Sequence, residues 1–324
     1  MIIVGSQTPK HIDVLKHRGV KVSVPATISN LGCGINILGI ALKGLADEVI
    51  AKFGLEPCLK VTSISGTKDS FVLDASINSA SRSALALLRS LNKEDVGIEM
   101  QIKKKVPVGV GLGSMAATAV ASVMAVNELM GRPYEKRDLL SFALEGCSND
   151  EGKNAHKVVA SLLGGCMLLR DADQSDFVRI PVPRGFFIAA IYPVVGNDNR
   201  LGRPVLKSMM TLADYSHHSA NLGSFIMGMV KADYDMIKRS MSDSVWVSQL
   251  YSCNAMFNET KSIAMKAGAL GCSYTGNGPA VFAVFDNSLY AEEFVAKALE
   301  LYRSNKVEAV VVVSGIDNEG AILL

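Results

Sequence analysis

The sequence lacks the features of a secreted, membrane-bound or nucleic-acid-binding protein. Its first residues show no signal-peptide pattern, and no apolar run reaches the length of a membrane span. The formal net charge is only +2, and no basic stripe dominates the chain. We therefore expect a cytoplasmic protein whose partners are neither membranes nor nucleic acids.

Cysteine and histidine are too scattered to form a recognisable metal site. The six cysteines include no CxxC pair, and several lie in apolar runs, so we interpret them as buried free thiols. The adjacent His217 and His218 have no further ligand at a metal-binding spacing. The sequence therefore predicts no metal-ligating residues.

Apolar residues make up 49% of the 324 residues, which is enough to bury sizeable cores. This length suits either two domains that share a cleft or one large domain. The polar run from Asp171 to Asp176 is the best candidate for a boundary. We therefore expect an N-terminal domain at residues 1–170 and a C-terminal domain at residues 171–324.

The most informative stretch runs from Val106 to Thr118. Alternating apolar residues at 96–102 predict a half-buried strand before it. An apolar run predicts a helix after it, with Ser114 as candidate N-cap. Three glycines between them leave backbone amides and the positive helix end open to an anion. These glycines are Gly109, Gly111 and Gly113. The stretch therefore predicts a phosphate-binding loop.

Other interpretations of this loop fit less well. A Walker loop needs a lysine after its glycines, and the dinucleotide pattern needs a glycine where Ser114 stands. A tight strand-to-helix turn needs only one or two glycines. The preceding lysines at 103–105 are interpreted as a solvated strand end, which would also steer an anionic nucleotide.

Residues 107–117, Pro-Val-Gly-Val-Gly-Leu-Gly-Ser-Met-Ala-Ala, resemble the Pro-x-x-x-Gly-Leu-Gly-Ser-Ser-Ala-Ala loop of one kinase superfamily. Its members are the galactokinases, homoserine kinases, mevalonate kinases and phosphomevalonate kinases. Four further segments are similar to homoserine kinases in particular, and lie at residues 24–39, 160–165, 275–279 and 317–321. The resemblance extends over about residues 21–324.

This resemblance implies an α+β, two-domain small-molecule kinase fold. The N-terminal domain would resemble ribosomal protein S5 and carry the glycine loop. The C-terminal domain would be ferredoxin-like, which agrees with a βαββαβ pattern in the second half of the chain. The cleft between the two domains is the expected site.

The resemblance also implies that the loop binds the phosphates of ATP. The matching positions are Pro107, Gly109, Gly111, Gly113, Ser114, Met115, Ala116 and Ala117. Met115 replaces a family serine that helps to hold Mg²⁺, and a thioether is a poor ligand for a hard cation. The family's metal-binding glutamate falls near Cys147, and Asp150 or Glu151 would replace it only in a rebuilt loop. We therefore do not expect these residues to hold Mg²⁺.

At the catalytic positions, His156 and Lys157 replace an aspartate and an asparagine of the family. In one interpretation, His156 accepts a hydroxyl proton and Lys157 neutralises phosphate charge. In the other interpretation, both are solvated residues in the first turn of a helix. We favour the second, because neither replacement restores a metal site.

The substrate positions implied by the resemblance are also altered. Asn36 replaces the aspartate that pairs with the amino acid's ammonium, and Leu250 replaces one of two arginines. The positions implied to contact a small amino acid are Asn30, Asn36, Arg203, Thr275, Gly276 and Asn277. Lost charge-assisted contacts weaken a zwitterion site.

Two functions remain open from the sequence. The chain is either a homoserine kinase-type enzyme of threonine biosynthesis, with weak or absent turnover of homoserine, or a relative that acts on another small hydroxyl compound. Alternatively, it is a non-catalytic paralogue that binds a nucleotide or ligand, or pairs with another protein. A homodimer is left open.

Overall fold

A computed structural model describes residues 19–67, 78–147, 154–171, 176–194, 209–242, 247 and 254–324. These residues form two β-sheets with helices packed against them. In this part of the chain no helix is both long and apolar enough to cross a membrane.

The first sheet is built around β2, a strand of 20 residues. Its strands are β1 (Val20–Asn30), β2 (Gly34–Phe53), β3 (Leu59–Ser65), β4 (Ile98–Lys103), β5 (Cys166–Leu169), β6 (Phe177–Ile180) and β11 (Ile322–Leu323). The order is β11-β1-β2-β4-β3, while β5 pairs with the first half of β2 and β6 pairs with β5. β3 and β4 are parallel, and the remaining pairs are antiparallel.

Among the described residues, four helices accompany this sheet: α1 (Ser79–Ser90), α2 (Ser114–Leu129), α3 (Leu139–Cys147) and α4 (Ala155–Leu163). The amide group of Asn78 caps α1 by accepting the N–H of Ala80 at 2.9 Å. α2 is buried almost all round, which its many alanines permit by letting neighbouring elements approach closely. The helix that follows the glycine loop is therefore the centre of this layer.

The second sheet contains β7 (Phe187–Pro193), β8 (Gly271–Tyr274), β9 (Val281–Phe285) and β10 (Ala309–Ser314). Its order is β10-β7-β9-β8 and every pair is antiparallel, as in a ferredoxin-like layer. The remaining helices are α5 (Leu212–Lys231), α6 (Tyr234–Ser240), α7 (Phe257–Lys266) and α8 (Ser288–Ser304). Phe257 of α7 stacks on Tyr274 of β8 at 4.2 Å between ring centroids. The expectation of an α+β, two-domain fold is confirmed.

The division into residues 1–170 and 171–324 stays a prediction. The two sheets do not change over at residue 171, because β6 still belongs to the first sheet. The chain also returns to the first sheet at its end, where Ile322 and Leu323 pair with Ser23 and Val22 of β1.

Candidate functional site

The predicted phosphate loop lies between the end of β4 and the start of α2. Gly109, Gly111 and Gly113 have φ angles of +77°, +100° and +75°, which side chains strongly disfavour. A Cβ at Gly111 would lie 2.1 Å from the carbonyl oxygen of Thr275, and one at Gly113 would lie 2.1 Å from Thr27 Oγ1. At Gly109 it would meet nothing within 4 Å. Two glycines therefore permit close packing, and the third borders open space.

Helix α2 begins at Ser114, and its N-cap is Gly113, so the prediction that Ser114 caps this helix is wrong. The Ser114 hydroxyl instead donates to the carbonyl of Val106 at 3.1 Å and holds the two ends of the loop together. Gly113 offers no side chain to cap the first amides of the helix. An anion is the natural partner for amides at this positive helix end.

The prediction that the lysines at 103–105 form a solvated strand end is wrong for Lys104, which is buried. Its side chain is 5% exposed and forms an ion pair with the fully buried Asp47. Burial lowers the pKa of Lys104, and the adjoining carboxylate opposes that shift. Lys105, by contrast, pairs with Glu48 near the surface. The hydrogen bonds from Lys105 and Lys21 lower the pKa of Glu48 to about 2.

The loop at residues 275–279 packs directly against the glycine loop. Thr275 Oγ1 accepts the N–H of Ser29 at 3.1 Å and donates to the carbonyl of Gly111 at 3.0 Å. The Ser29 hydroxyl in turn accepts the N–H of Gly276 at 3.1 Å. The backbone also joins the loops, since the N–H of Ala280 donates to the carbonyl of Val110 at 3.0 Å. The structure therefore brings two of the sequence-predicted segments together.

Asn30 belongs to the same cluster. It is buried, with its Oδ1 accepting the N–H of Asn36 at 3.0 Å and its Nδ2 lying 3.5 Å from the carbonyl of Gly276. Asn30 and Asn36 both adopt positive φ angles, of 75° and 61°, which asparagine tolerates better than most residues. Asn36 is exposed, and Asn277 lies half-buried in the facing turn.

Lys157 extends towards the second of these loops. Its Nζ lies 2.9 Å from the place that a Cβ on Gly276 would occupy, and 3.3 Å from Asn154 Oδ1. A Cβ on Gly276 would also lie 3.3 Å from the carbonyl oxygen of Gly111. An ammonium group is therefore placed where the two loops meet.

His156 is buried, so the interpretation of His156 as a solvated residue is wrong. The start of α4 packs closely on β2, where a Cβ at Gly39 would lie 2.2 Å from the carbonyl oxygen of His156. Burial, followed by the nearby charge of Lys157, holds the pKa of His156 well below its ordinary value, against a hydrogen bond to the backbone of Asn36. Its Nε2 is buried and has no hydrogen-bond partner. The imidazole is therefore neutral.

The residues at the positions that the resemblance assigns to Mg²⁺ binding are unsuited to that ion. Cys147 is buried at the end of α3, and burial raises the pKa of its thiol to about 12, so the group is uncharged. Met115 offers an exposed thioether, and neither sulfur suits a hard cation that prefers oxygen. Among the residues described, no three His, Cys, Asp or Glu side chains are grouped to hold a metal. Asp150 and Glu151 lie outside the described residues.

Some of the remaining predicted positions lie among the described residues and others lie outside them. Arg203 and Leu250 lie outside the described residues, so the structure does not place them. Four of the predicted free thiols are buried and Cys58 is half-buried, and no disulfide joins any of these five described cysteines, while Cys253 is outside the described part. No local sequence pattern indicates the contacts that Asp47 and Ser29 make in the site.

Comparisons with known proteins agree with this fold and loop. Residues 78–165 match the family model of the GHMP kinases N terminal domain, and residues 226–304 match that of the GHMP kinases C terminal. A homoserine kinase of Chlorobaculum tepidum is 33% identical over 92% of this chain and 96% of that protein. One of Chlorobium phaeovibrioides is 33% identical over 95% and 100%.

The fold is also that of a solved relative. The crystal structure of homoserine kinase from Cytophaga hutchinsonii superposes with a TM-score of 0.90 at 32% identity, and covers 99% of this chain and 100% of that one. The chain belongs to the homoserine kinase family of the GHMP kinases.

Proposed function

We propose that the chain binds ATP at the glycine loop as a homoserine kinase-type phosphotransferase, and that its turnover of homoserine is weak or absent. Family membership and the backbone of Gly109, Gly111 and Gly113 support nucleotide binding. The open space beside Gly109 supports it further, because a phosphate needs room where a side chain would stand.

One observation carries the second half of the proposal. The loop geometry is complete, yet the positions aligned with acidic groups hold uncharged side chains, the thiol of Cys147 and the imidazole of His156. Phosphoryl transfer depends mostly on positioning and on neutralising the charge of the transferred group. When bound, Mg²⁺ supplies such neutralisation in kinases of this kind, and these residues provide no protein ligands for it.

The chain's own residues offer a partial substitute. We assign to Lys157 the neutralisation of phosphate charge, because its ammonium lies at the junction of the two loops. We assign to His156 the acceptance of a hydroxyl proton, since Nε2 has no hydrogen-bond partner. Its lowered pKa makes the imidazole a weak base, in agreement with weak turnover. That nitrogen is covered by protein, which favours slow rather than efficient proton transfer.

The acceptor is proposed to be a small amino acid held by the cluster around Asn30, together with Asn36, Arg203 and the 275–277 turn. Asn36 is exposed but carries no charge, so it binds an ammonium more weakly than an aspartate would. Loss of one charge-assisted contact costs about 1.5–3 kcal/mol. We therefore expect a raised KM for homoserine.

The other candidate is a non-catalytic paralogue that only binds nucleotide. It is favoured by the same observation, a complete glycine loop beside uncharged side chains at the positions where acidic residues are expected. The two functions differ in whether phosphate is transferred. Both predict that ATP binds without a requirement for Mg²⁺. The test is titration calorimetry of purified protein with ATP, in Mg²⁺ and in EDTA. Similar affinity in both would support the proposal, whereas binding only with Mg²⁺ would refute the loss of the metal site.

A further inference from the structure

A buried ion pair connects two strands beside the glycine loop. Asp47 of β2 is fully buried, and Lys104 follows the last residue of β4. The Nζ of Lys104 donates to Oδ2 of Asp47. Replacing a buried pair with apolar residues of similar size is often neutral for stability, so stability alone is a weak reason for its presence. The other contacts of the two side chains indicate a more specific role.

The carboxylate of Asp47 fixes the entry to the loop. Its Oδ1 accepts the backbone N–H of Lys105 and the backbone N–H of Val106, both at 2.8 Å. These are the residues at which the chain leaves β4 and turns towards Gly109. Two hydrogen bonds to one carboxylate oxygen set the direction in which the loop starts.

The ammonium of Lys104 fixes the exit from the loop. It donates to the carbonyl of Ser114 at 3.1 Å and to Thr118 Oγ1 at 2.6 Å. Ser114 is the first residue of α2, and the Thr118 hydroxyl also donates to the carbonyl of Ser114, at 3.0 Å. A single ion pair is thus bonded to both ends of the loop, with the three glycines between them.

We propose that Asp47 and Lys104 are positioning residues, which hold the glycine loop in the conformation that receives the phosphates of a nucleotide. The inference rests on the proposed function for its ligand. Both side chains are buried behind the loop and act on it through the backbone of Val106 and Ser114. Three positive-φ glycines at alternate positions give this loop little stiffness of its own, so its amides need such anchors.

The experiment compares Lys104→Met, Asp47→Leu and the double variant with wild type. Lys52→Met is the matched control, because Lys52 pairs with Glu99 at 2.9 Å across the same two strands, β2 and β4, but at the surface. Three quantities are measured for each protein. They are thermal stability, amide hydrogen exchange of residues 105–117 without ligand, and ATP affinity by calorimetry.

Each single variant is expected to lose stability, because it leaves one buried charge unpaired. The double variant regains the part of that stability that was lost to an unpaired buried charge, while the backbone N–H groups of Lys105 and Val106 still lack their acceptor. Its loop amides nevertheless exchange at least roughly tenfold faster than in wild type, and ATP binds at least roughly tenfold more weakly, the scale of one lost charge-assisted bond. Lys52→Met matches wild type in all three measurements.

A stable double variant with wild-type exchange in the loop overturns the inference, as does faster exchange spread evenly over the first sheet. If loop exchange accelerates but wild type binds no ATP, the positioning role stands and the proposed function fails. Asp47→Asn keeps the inference testable if the double variant does not fold. It retains the Oδ1 acceptor, so residues 105–106 should stay protected while exchange near Ser114 accelerates.

Discussion

Thr275 and Gly111 join the two loops of the site through a hydrogen bond. The Thr275 hydroxyl donates to the carbonyl of Gly111 at 3.0 Å. The backbone carbonyl oxygen of Thr275 lies 2.1 Å from the position that a Cβ on Gly111 would occupy. Real Cβ atoms do not approach a backbone oxygen so closely. The residue at position 111 is therefore limited to glycine as long as the two loops stay in contact.

Replacing this glycine should separate the loops. We expect Gly111→Val to destabilise the protein by about 2–4 kcal/mol, because it combines a forbidden φ with a backbone clash. ATP affinity should fall by more than about tenfold, since the amides on both sides move. Calorimetry and thermal unfolding measure the two effects. Unchanged ATP affinity in a folded Gly111→Val protein would show that nucleotide does not use this loop.

Gly109 allows a test of binding that is separate from packing. Its φ is +77° and a Cβ there meets nothing, and Gly131, just after α2, has a φ of +83° with the same open surroundings. Gly109→Val and Gly131→Val should therefore cost similar stability, about 1–3 kcal/mol each. Only Gly109→Val should weaken ATP binding, because its side chain occupies the space assigned to phosphate. Equal ATP affinity of the two variants, measured by calorimetry, would argue against that assignment.

The buried imidazole of His156 makes a prediction about acid stability. Its pKa in the folded protein is held well below the ordinary value of about 6.5. Below about pH 6.5 the imidazole therefore binds a proton in the unfolded chain but stays unprotonated in the folded protein. Stability is therefore lost as pH falls from about 6.5, by up to about 1.4 kcal/mol per pH unit from this group. Urea unfolding at several pH values should show a steeper loss for wild type than for His156→Gln. Parallel curves would mean that His156 is not held neutral.

Restoring two family residues tests whether the chemistry was lost on an intact scaffold. Met115→Ser combined with His156→Asp should make ATP binding depend more on Mg²⁺, because both changes supply oxygen ligands. Homoserine-dependent ADP release should rise at least roughly tenfold, the scale of a restored charge-stabilising group. Met115→Ser alone serves as the control and should do less. No gain in a folded double variant would point to other residues as the cause.

Much of the fold could be predicted from local sequence. Apolar periodicity predicts helices over residues 78–91 and 155–163, and the structure has them at Ser79–Ser90 and Ala155–Leu163. Such periodicity acts within one element, and Asn78 adds a local cap to the first of these helices. The sequence also predicts a helix over residues 135–145, whereas the observed helix runs from Leu139 to Cys147. The glycine loop was found in the same way, since its strand, glycines and helix are contiguous.

Burial of polar groups was harder to predict, because it depends on distant partners. Ile98, Met100 and Ile102 alternate on the buried face of β4, and continuing that alternation points Lys104 inwards as well. Because Lys104 lies between two other lysines, the sequence around it is typical of an exposed segment. Its partner Asp47 lies on another strand, β2, so no local pattern indicates the ion pair. His156 is buried for a similar reason, the close approach of α4 to Gly39 of β2, which no local pattern reveals.

The most direct measurement is steady-state ADP release by the purified wild-type protein with homoserine, at saturating ATP and Mg²⁺. The homoserine kinase of Cytophaga hutchinsonii is the positive control under the same conditions. We predict that calorimetry detects ATP binding while homoserine adds little or nothing to the rate of ADP release. Homoserine-dependent release at a rate similar to that of the control would contradict weak or absent turnover, and would require another role for Cys147, His156 and Lys157.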